Sequence, residues 1–238
     1  MLLVFVLTLC LLIPGGISQD EVEEASSTDA ELEEATSTVL LSGPVFNYSE
    51  TNPELQNYQD AWKFVTRNES FLMKYRNFNT NPTGKNTTMC VSATMIEMNE
   101  TTHSVLHKIT YLNTTTNETR AFNKTYYVIS SDGYTVKNVL NGTDARTSES
   151  ELYPFAFADK NCAVIRKDNC SDESFKACEL WVYESALNQE LSCCDFVFDL
   201  LCSRGYKQIT YDSERCKPKG TAVNADATAP TTSADSKA

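Results

Sequence analysis

The sequence predicts a mainly β protein: an eight-stranded antiparallel barrel, with one helix before the strands and a second helix packed on the barrel wall. Between residues 70 and 183, short segments of alternating apolar and polar residues follow one another, separated by polar turns. Apolar residues at helical spacing occur on either side of these segments. The folded part, residues 45–219, has the length of one ordinary domain.

Both ends of the chain differ in composition from this domain. Residues 1–18 contain an apolar run of about a dozen residues followed by small residues, which is typical of a signal peptide. Residues 19–44 are acidic and residues 220–238 are rich in Ala, Thr and Ser, so neither stretch has enough apolar surface to fold. We therefore expect a secreted protein with a disordered leader and a disordered tail.

The first helix is expected to begin at Asn52, a capping residue followed by Pro53 at the first helical position. Apolar residues at helical spacing continue it to Val65. The strands begin one turn later, where apolar and polar residues alternate from Phe71 onwards. The eight predicted strands cover residues 70–78, 87–98, 103–112, 120–130, 134–140, 151–157, 162–167 and 177–183.

The second helix is expected at residues 187–203, where Leu187, Leu191, Phe198 and Leu201 form one apolar stripe. Gly205 follows as a typical helix end. Three cysteines lie within this stretch, so we expect disulfides to fix the helix to the barrel wall.

Eight cysteines remain once Cys10 leaves with the signal peptide. An even number in a secreted chain indicates up to four disulfides, although the sequence alone does not choose the connectivity. The eight are Cys90, Cys162, Cys170, Cys178, Cys193, Cys194, Cys202 and Cys216.

Nine N-glycosylation sequons support the secretory interpretation. Together they indicate a heavily glycosylated extracellular protein with its modified sites on turns and outer faces. The asparagines are Asn47, Asn68, Asn86, Asn99, Asn113, Asn117, Asn123, Asn141 and Asn169.

Several functional classes are disfavoured. The formal charge of -12 is concentrated in the leader and no basic cluster occurs, which argues against nucleic-acid binding. No nucleophile elbow or Gly-rich phosphate loop is present, so we expect neither an enzyme nor a cofactor. On a strand, His103 and His107 would lie about 13 Å apart, too far to share a metal, and we expect no metal site.

The candidate ligand-binding residues are Glu179 and Trp181, which alternation places on one face of the strand at residues 177–183. Inside a barrel, a carboxylate and an indole can hold an organic cation by charge and by the ring face. The aromatic residues Tyr75, Phe78 and Tyr111 are candidates to cover the ring of such a ligand. The alternative is a structural carboxylate at Glu179 and a core residue at Trp181.

Several motifs resemble the tick salivary lipocalins of the histamine-binding group. The resemblance covers roughly residues 50–217, and in a lipocalin an eight-stranded barrel encloses one small ligand. The motifs are Asp60-Ala61-Trp62-Lys63, Thr88-Met89-Cys90-Val91, Asp159-Lys160-Asn161-Cys162, Cys178-Glu179-Leu180-Trp181-Val182 and the late Cys216.

The amine-binding signature of that family reads Cys-Asp-aliphatic, then Glu-Leu-aromatic, then Cys. This chain departs from it at one position, because Ala163 stands where the family has the acid. A charge-assisted hydrogen bond is worth about 1.5–3 kcal/mol, so losing one acid would weaken amine binding on the order of 10- to 100-fold. The matching residues are Cys162, Val164, Glu179, Leu180, Trp181 and Cys193.

The resemblance also suggests disulfide pairings. It implies a bond from Cys90 to Cys216 and a bond from Cys162 to either Cys193 or Cys194. Cys178 points away from Glu179, towards the outer wall, and can pair with Cys202. Cys170 would then pair with the remaining helix cysteine.

The resemblance implies a secreted salivary lipocalin that sequesters a host biogenic amine, histamine or serotonin, to suppress host inflammation and defence. Two alternatives remain open at this point. One is a barrel that binds a lipid mediator, a leukotriene or a sterol. The other is an immunomodulator that binds a host protein and uses the barrel as a scaffold. In none of these readings does the protein bind nucleic acid or a membrane.

Overall fold

The computed structural model describes residues 49–79, 87–143, 150–171, 175–202 and 206–216. It confirms an antiparallel barrel of eight strands, with helices near both ends of the described chain. The predicted signal peptide, leader and tail lie outside the described residues. The strands are β1 (Phe71–Arg76), β2 (Thr88–Asn99), β3 (Ser104–Asn113), β4 (Glu118–Ile129), β5 (Val139–Thr143), β6 (Ser150–Ala158), β7 (Cys162–Arg166) and β8 (Cys178–Tyr183).

The barrel closes where β1 meets β2 and β8. β1 pairs along its length with β8, but only Phe71 and Leu72 pair with β2. A short ninth strand, β9 (Gln208–Ile209), pairs with the second half of β1. The Cys90 N–H donates to the Thr210 carbonyl at 2.7 Å, so the C-terminal segment fills the gap between β1 and β2.

The helix before the barrel is broken in two, which differs from the single helix expected from Asn52 to Val65. A 3₁₀ helix covers Pro53–Tyr58 and the α-helix α1 covers Ala61–Val65. The buried side chain of Gln59 separates them and donates to the Ala156 carbonyl at 3.2 Å. Helix α1 closes one end of the barrel, where the Tyr183 hydroxyl donates to the Phe64 carbonyl at 2.6 Å.

The strand expected at residues 134–140 starts later, because β5 begins at Val139. The preceding residues form a loop held against the first helix. The Tyr134 hydroxyl lies 2.7 Å from Gln59 Oε1 and 2.9 Å from the Asn52 carbonyl. Gly133, with φ of 77°, provides the left-handed turn that this loop requires.

The second helix, α2 (Ser192–Leu201), is shorter than expected and packs on the outer face of β7 and β8. Residues 184–186 form a separate 3₁₀ turn. Disulfides join Cys162 to Cys194 and Cys178 to Cys202, and so fix both ends of α2 to the wall. A third joins Cys90 on β2 to Cys216. These three pairings match the expectation.

The fourth expected pairing, Cys170 with Cys193, is not formed. Cys170 is an exposed free thiol in the 3₁₀ turn that follows β7. The Cys162–Cys194 bond holds the start of α2 beside the start of β7, so Cys193 lies at the opposite end of that strand from Cys170. Two cysteines at opposite ends of a strand are too far apart for a disulfide.

Among the described residues, none of the helices combines the length and the apolar character needed to cross a membrane.

Candidate functional site inside the barrel

The strand register places Glu179 and Trp181 in the barrel interior. Cys178, which alternates with them, faces outwards and bonds to α2. Directly across from Glu179 lie Arg76 on β1 and Ile165 on β7. The predicted Glu/Trp face therefore exists and points into the barrel.

A cavity of about 50 Å³ lies between these side chains and the opposite wall. Pockets for drug-sized ligands measure roughly 300–1,000 Å³, so this cavity accepts only a small molecule unless its lining side chains move. Its lining is aromatic and aliphatic with one carboxylate. The lining residues are Phe71, Ala93, His107, Ile109, Tyr126, Leu140, Tyr153, Ile165, Glu179 and Trp181.

The carboxylate of Glu179 is held in place by its neighbours. Trp181 Nε1 donates a hydrogen bond of 2.9 Å to Glu179 Oε2, and only 9% of Glu179 is exposed. On the adjacent strand, burial lowers the pKa of Arg76, while the negative charge of Glu179 opposes this shift. The guanidinium of Arg76 and the carboxylate of Glu179 thus belong to the same side of the barrel, where β1 pairs with β8.

Arg76 is itself positioned by polar partners. Its Nε donates to Gln208 Oε1 at 2.6 Å, and an Nη donates to Thr88 Oγ1 at 3.1 Å. The C-terminal strand β9 therefore supplies part of the site, because Gln208 belongs to it.

Aromatic rings form the other walls of the cavity. The Phe71 ring lies edge-on to Trp181 at 5.4 Å and to His107 at 5.5 Å, measured between centroids. His107 in turn lies 6.1 Å from the ring of Tyr126. Such an arrangement suits a flat, cationic or aromatic ligand.

His107 lines the cavity, whereas the sequence predicted an ordinary strand histidine at this position. Burial lowers its pKa to about 4, and a hydrogen bond to the Val65 carbonyl opposes this effect. Because a carbonyl only accepts, Nε2 of the neutral ring carries the proton in this 2.9 Å bond, which leaves Nδ1 as an acceptor. The same alternation that places Ile109 inside would have identified His107 as an interior residue.

A second polar cluster adjoins the cavity on the β4 and β6 side. Lys124 Nζ lies 2.6 Å from Glu151 Oε2 and 2.8 Å from the Tyr153 hydroxyl. Lys167 Nζ approaches the same hydroxyl at 3.1 Å, and Tyr153 also donates to Glu151. This cluster, which we call the lysine cluster, comprises Lys124, Glu151, Tyr153 and Lys167.

The cavity residue Tyr126 lies within reach of both polar groups. Burial raises its pKa above the ordinary value, and the carboxylates of Glu179 and then Glu151 raise it further. Tyr126 is therefore a neutral hydroxyl between two charged sites.

Ala163, at the position of the family acid, also faces the barrel interior. It lies directly opposite Trp181 in the β7–β8 register and is completely buried. It does not line the cavity as it stands. A carboxylate at this position would therefore lie beside the indole.

Tyr75 does not point into the cavity. A β-bulge between Met73 and Tyr75 shifts the register, so Tyr75 turns to the outer wall. There its hydroxyl donates to Asp195 Oδ1 at 2.7 Å and its ring packs edge-on against Phe198 of α2. The expected ligand contact is thus a wall contact.

Phe78 and Tyr111 also lie outside the cavity lining. Phe78 is buried after the end of β1, where the Arg76 guanidinium lies 5.4 Å from its ring centre. Tyr111 lines a separate groove of about 960 Å³, together with other residues of β2 and β3 and with the C-terminal segment. The aromatic walls of the cavity are formed instead by Phe71, His107 and Tyr126.

The described sequon asparagines lie at the surface or close to it. Asn68, Asn99, Asn117, Asn123 and Asn169 are exposed. Asn113 and Asn141 are half-buried, and both Asn47 and Asn86 fall outside the described residues.

An eight-stranded barrel, closed at one end by a helix and enclosing a small lined cavity, defines a lipocalin-like protein. The model of the family described as tick histamine-binding protein matches residues 49–218. The chain therefore belongs to the tick histamine-binding protein family, a secreted family of ligand-binding proteins rather than of enzymes.

Three solved structures resemble the chain. The crystal structure of an AM182 serotonin complex is 20% identical, covers 67% of this chain and 93% of its own, and has a TM-score of 0.46. Japanin from Rhipicephalus appendiculatus, bound to cholesterol, is 12% identical over 63% of this chain and 97% of its own, with a TM-score of 0.46. The siderocalin Ex-FABP is 14% identical, and the match covers 58% of this chain and 95% of the siderocalin, with a TM-score of 0.39. No curated protein matches the chain.

Proposed function

We propose that the protein is a salivary lipocalin that captures a host biogenic amine, histamine or serotonin, and thereby suppresses host inflammation and defence. One observation carries the proposal: a nearly buried carboxylate, Glu179, projects into an aromatic cavity of a histamine-binding family member. Capture is stoichiometric, and its effect depends on the amount of protein secreted.

The ammonium group of the ligand binds Glu179. Trp181 Nε1 already occupies one side of Oε2, which leaves the remaining lone pairs of the carboxylate for the ligand. A charge-assisted hydrogen bond of this kind is worth about 1.5–3 kcal/mol. The ligand ring lies between Phe71 and Tyr126, and Nδ1 of the neutral His107 accepts a hydrogen bond from it.

Arg76 limits the strength of this interaction. Its positive charge lies on the strand position directly opposite Glu179, so it offsets part of the charge of the carboxylate and repels a ligand ammonium. The hydrogen bonds from Arg76 to Gln208 and Thr88 restrain it from moving away. Together with the missing acid at Ala163, this favours weaker amine binding than a site with two acids would give.

A second candidate is an acidic lipid mediator such as a leukotriene, and the lysine cluster favours it. Lys124, Lys167 and the Tyr153 hydroxyl converge on one point, which is now shared with Glu151. A ligand carboxylate could replace Glu151 there while its chain enters the cavity. A sterol finds no comparable partner, and the volume of 50 Å³ disfavours it in this conformation. A host protein as partner has no support in the described residues.

Isothermal titration of the secreted glycoprotein with histamine, serotonin, a leukotriene and cholesterol separates these candidates. The amine proposal expects saturable heat with histamine or serotonin at about one ligand per chain. Leukotriene uptake without amine uptake would replace it by the second candidate. Uptake of neither class would contradict both.

A further inference from the structure

One part of the barrel wall is not covered by any described element of the chain. Helix α2 covers β7 and β8, and the C-terminal segment covers part of β1. Further round the barrel, the outer faces of β4, β5 and the first half of β6 carry three exposed apolar side chains. Tyr127 is 55% exposed, Leu152 41% and Ile129 40%. We call these three residues the β4–β6 patch.

A sequon lies at the centre of this patch. In the strand register, Asn141 of β5 pairs with Tyr127 on one side and with Leu152 on the other. Residues directly opposite in antiparallel strands share a face, with Cβ atoms about 5 Å apart. Asn141 therefore projects outwards between an exposed tyrosine and an exposed leucine.

The other two sequon residues also suit a modification on this face. Thr143 is exposed and shares the outward direction of Asn141. Gly142 points inwards, where an added Cβ would lie 2.7 Å from Lys124 Cε and 2.9 Å from the Tyr126 ring. The Ser150 hydroxyl donates to Asn141 Oδ1 at 2.6 Å and so directs the amide nitrogen away from Ser150.

We propose that Asn141 carries an N-linked glycan whose first sugars pack on Tyr127 and Leu152 and cover the β4–β6 patch. In this modification, Asn141 Nδ2 loses one proton and bonds to the anomeric carbon of N-acetylglucosamine. The bond from that carbon to the diphosphate of a polyisoprenyl carrier breaks, and the carrier leaves as the lipid diphosphate. The apolar face of the sugar ring then shields the tyrosine ring from water.

This assignment explains why an apolar patch persists on a secreted chain. Contiguous exposed apolar side chains promote association unless a partner covers them. The sequon provides a covalently attached cover at the middle of the patch, since N-linked glycans are bulky and solubilising. By contrast, Asn68 lies beside the Arg67–Glu69 ion pair, where a glycan would cover charged groups.

The test compares the full chain, secreted from insect cells, with two variants at one position. Thr143→Ala removes the sequon, whereas Thr143→Ser retains it. Release of glycans by a peptide N-glycosidase in ¹⁸O-labelled water, followed by mass spectrometry, reads occupancy at Asn141. Fluorescence of an anilinonaphthalene sulfonate dye reports exposed apolar surface.

We expect Asn141 to be labelled in the wild type and in Thr143→Ser, and dye fluorescence to rise about twofold or more in Thr143→Ala alone. Asn68→Gln, which removes a sequon beside charged residues, should leave the dye signal unchanged. Enzymatic deglycosylation of the folded proteins removes glycans from every accessible sequon, so it should raise the dye signal more in the wild type than in Thr143→Ala, which has no glycan at Asn141 to lose. An unlabelled Asn141, or equal dye binding with and without its glycan, would overturn the proposal.

Discussion

Trp181 Nε1 donates a hydrogen bond of 2.9 Å to Glu179 Oε2, and both side chains lie inside the barrel. This bond orients the only carboxylate among the residues that line the cavity. An oriented carboxylate loses less conformational entropy on binding a ligand than a mobile one does. The pair is therefore the structural basis of the proposed amine site.

Replacing Trp181 by Phe should weaken histamine binding about 10-fold, because the ring remains while the donor to the carboxylate is lost. Calorimetric titration measures the change. Trp62→Phe is the matched control, since Trp62 lies on α1 and outside the cavity lining. Equal losses in both variants would show that the Trp181 bond has no special role.

Replacing Ala163 by Asp should raise amine affinity about 10-fold, because the new carboxylate would lie beside Trp181 in the barrel interior. The same change should lower the stability of the unliganded protein, since Ala163 is completely buried and the charge is desolvated. Ala163→Asn is the control of similar size without the charge. If Asp and Asn give the same amine affinity, this position does not determine the ligand.

His107 should make the protein less stable in mild acid. Burial lowers its pKa to about 4 in the folded state, whereas the unfolded chain has the ordinary value of about 6.5. Above pH 6.5 both states are neutral and His107 has no effect on the pH dependence. As the pH falls from 6.5 to 4, only the unfolded state takes up the proton, so folding stability falls by about 3 kcal/mol.

Denaturant unfolding of the wild type and of His107→Gln at several pH values measures this effect. The variant should lose less stability than the wild type between pH 6.5 and 4. His103→Asn is a suitable control, because Asn tolerates the φ of 48° found at His103. Parallel pH curves for wild type and His107→Gln would contradict the assignment of a buried neutral histidine.

Lys124→Met distinguishes the two ligand classes. It removes one positive charge from the lysine cluster while retaining most of the apolar stem. Amine affinity should stay the same or rise a few-fold, because repulsion of the ligand falls, whereas leukotriene affinity should fall about 10-fold. Lys108→Met, on the exposed outer face of β3, is the control. A fall in amine affinity with Lys124→Met would contradict the proposed placement of the amine at Glu179.

Local patterns predicted much of this fold, because strand alternation and helix caps depend on neighbouring residues. Glu179 and Trp181 could be assigned to one face from alternation alone. The loop before β5 could not, since Tyr134 is held by Gln59 and Asn52, more than 70 residues away in the chain. Contacts of that kind leave no local signal.

The candidate site was predicted less completely than the fold. Tyr75 was expected inside, but the β-bulge after Met73 turns it towards Asp195. A single extra residue in a strand reverses the direction of all later side chains, and no sequence feature here marks it. His107 could have been found from alternation, but its carbonyl partner on α1 lies 42 residues away.

The most direct test of the amine proposal is a titration of histamine into Glu179→Gln, in which the side chain keeps its shape and loses its charge. We expect affinity to fall on the order of 10- to 100-fold, while the far-ultraviolet circular dichroism stays close to that of the wild type and so shows that the variant is folded. Glu97→Gln, at an exposed position of β2, should bind as the wild type does. Histamine binding of undiminished strength by Glu179→Gln would contradict the central claim.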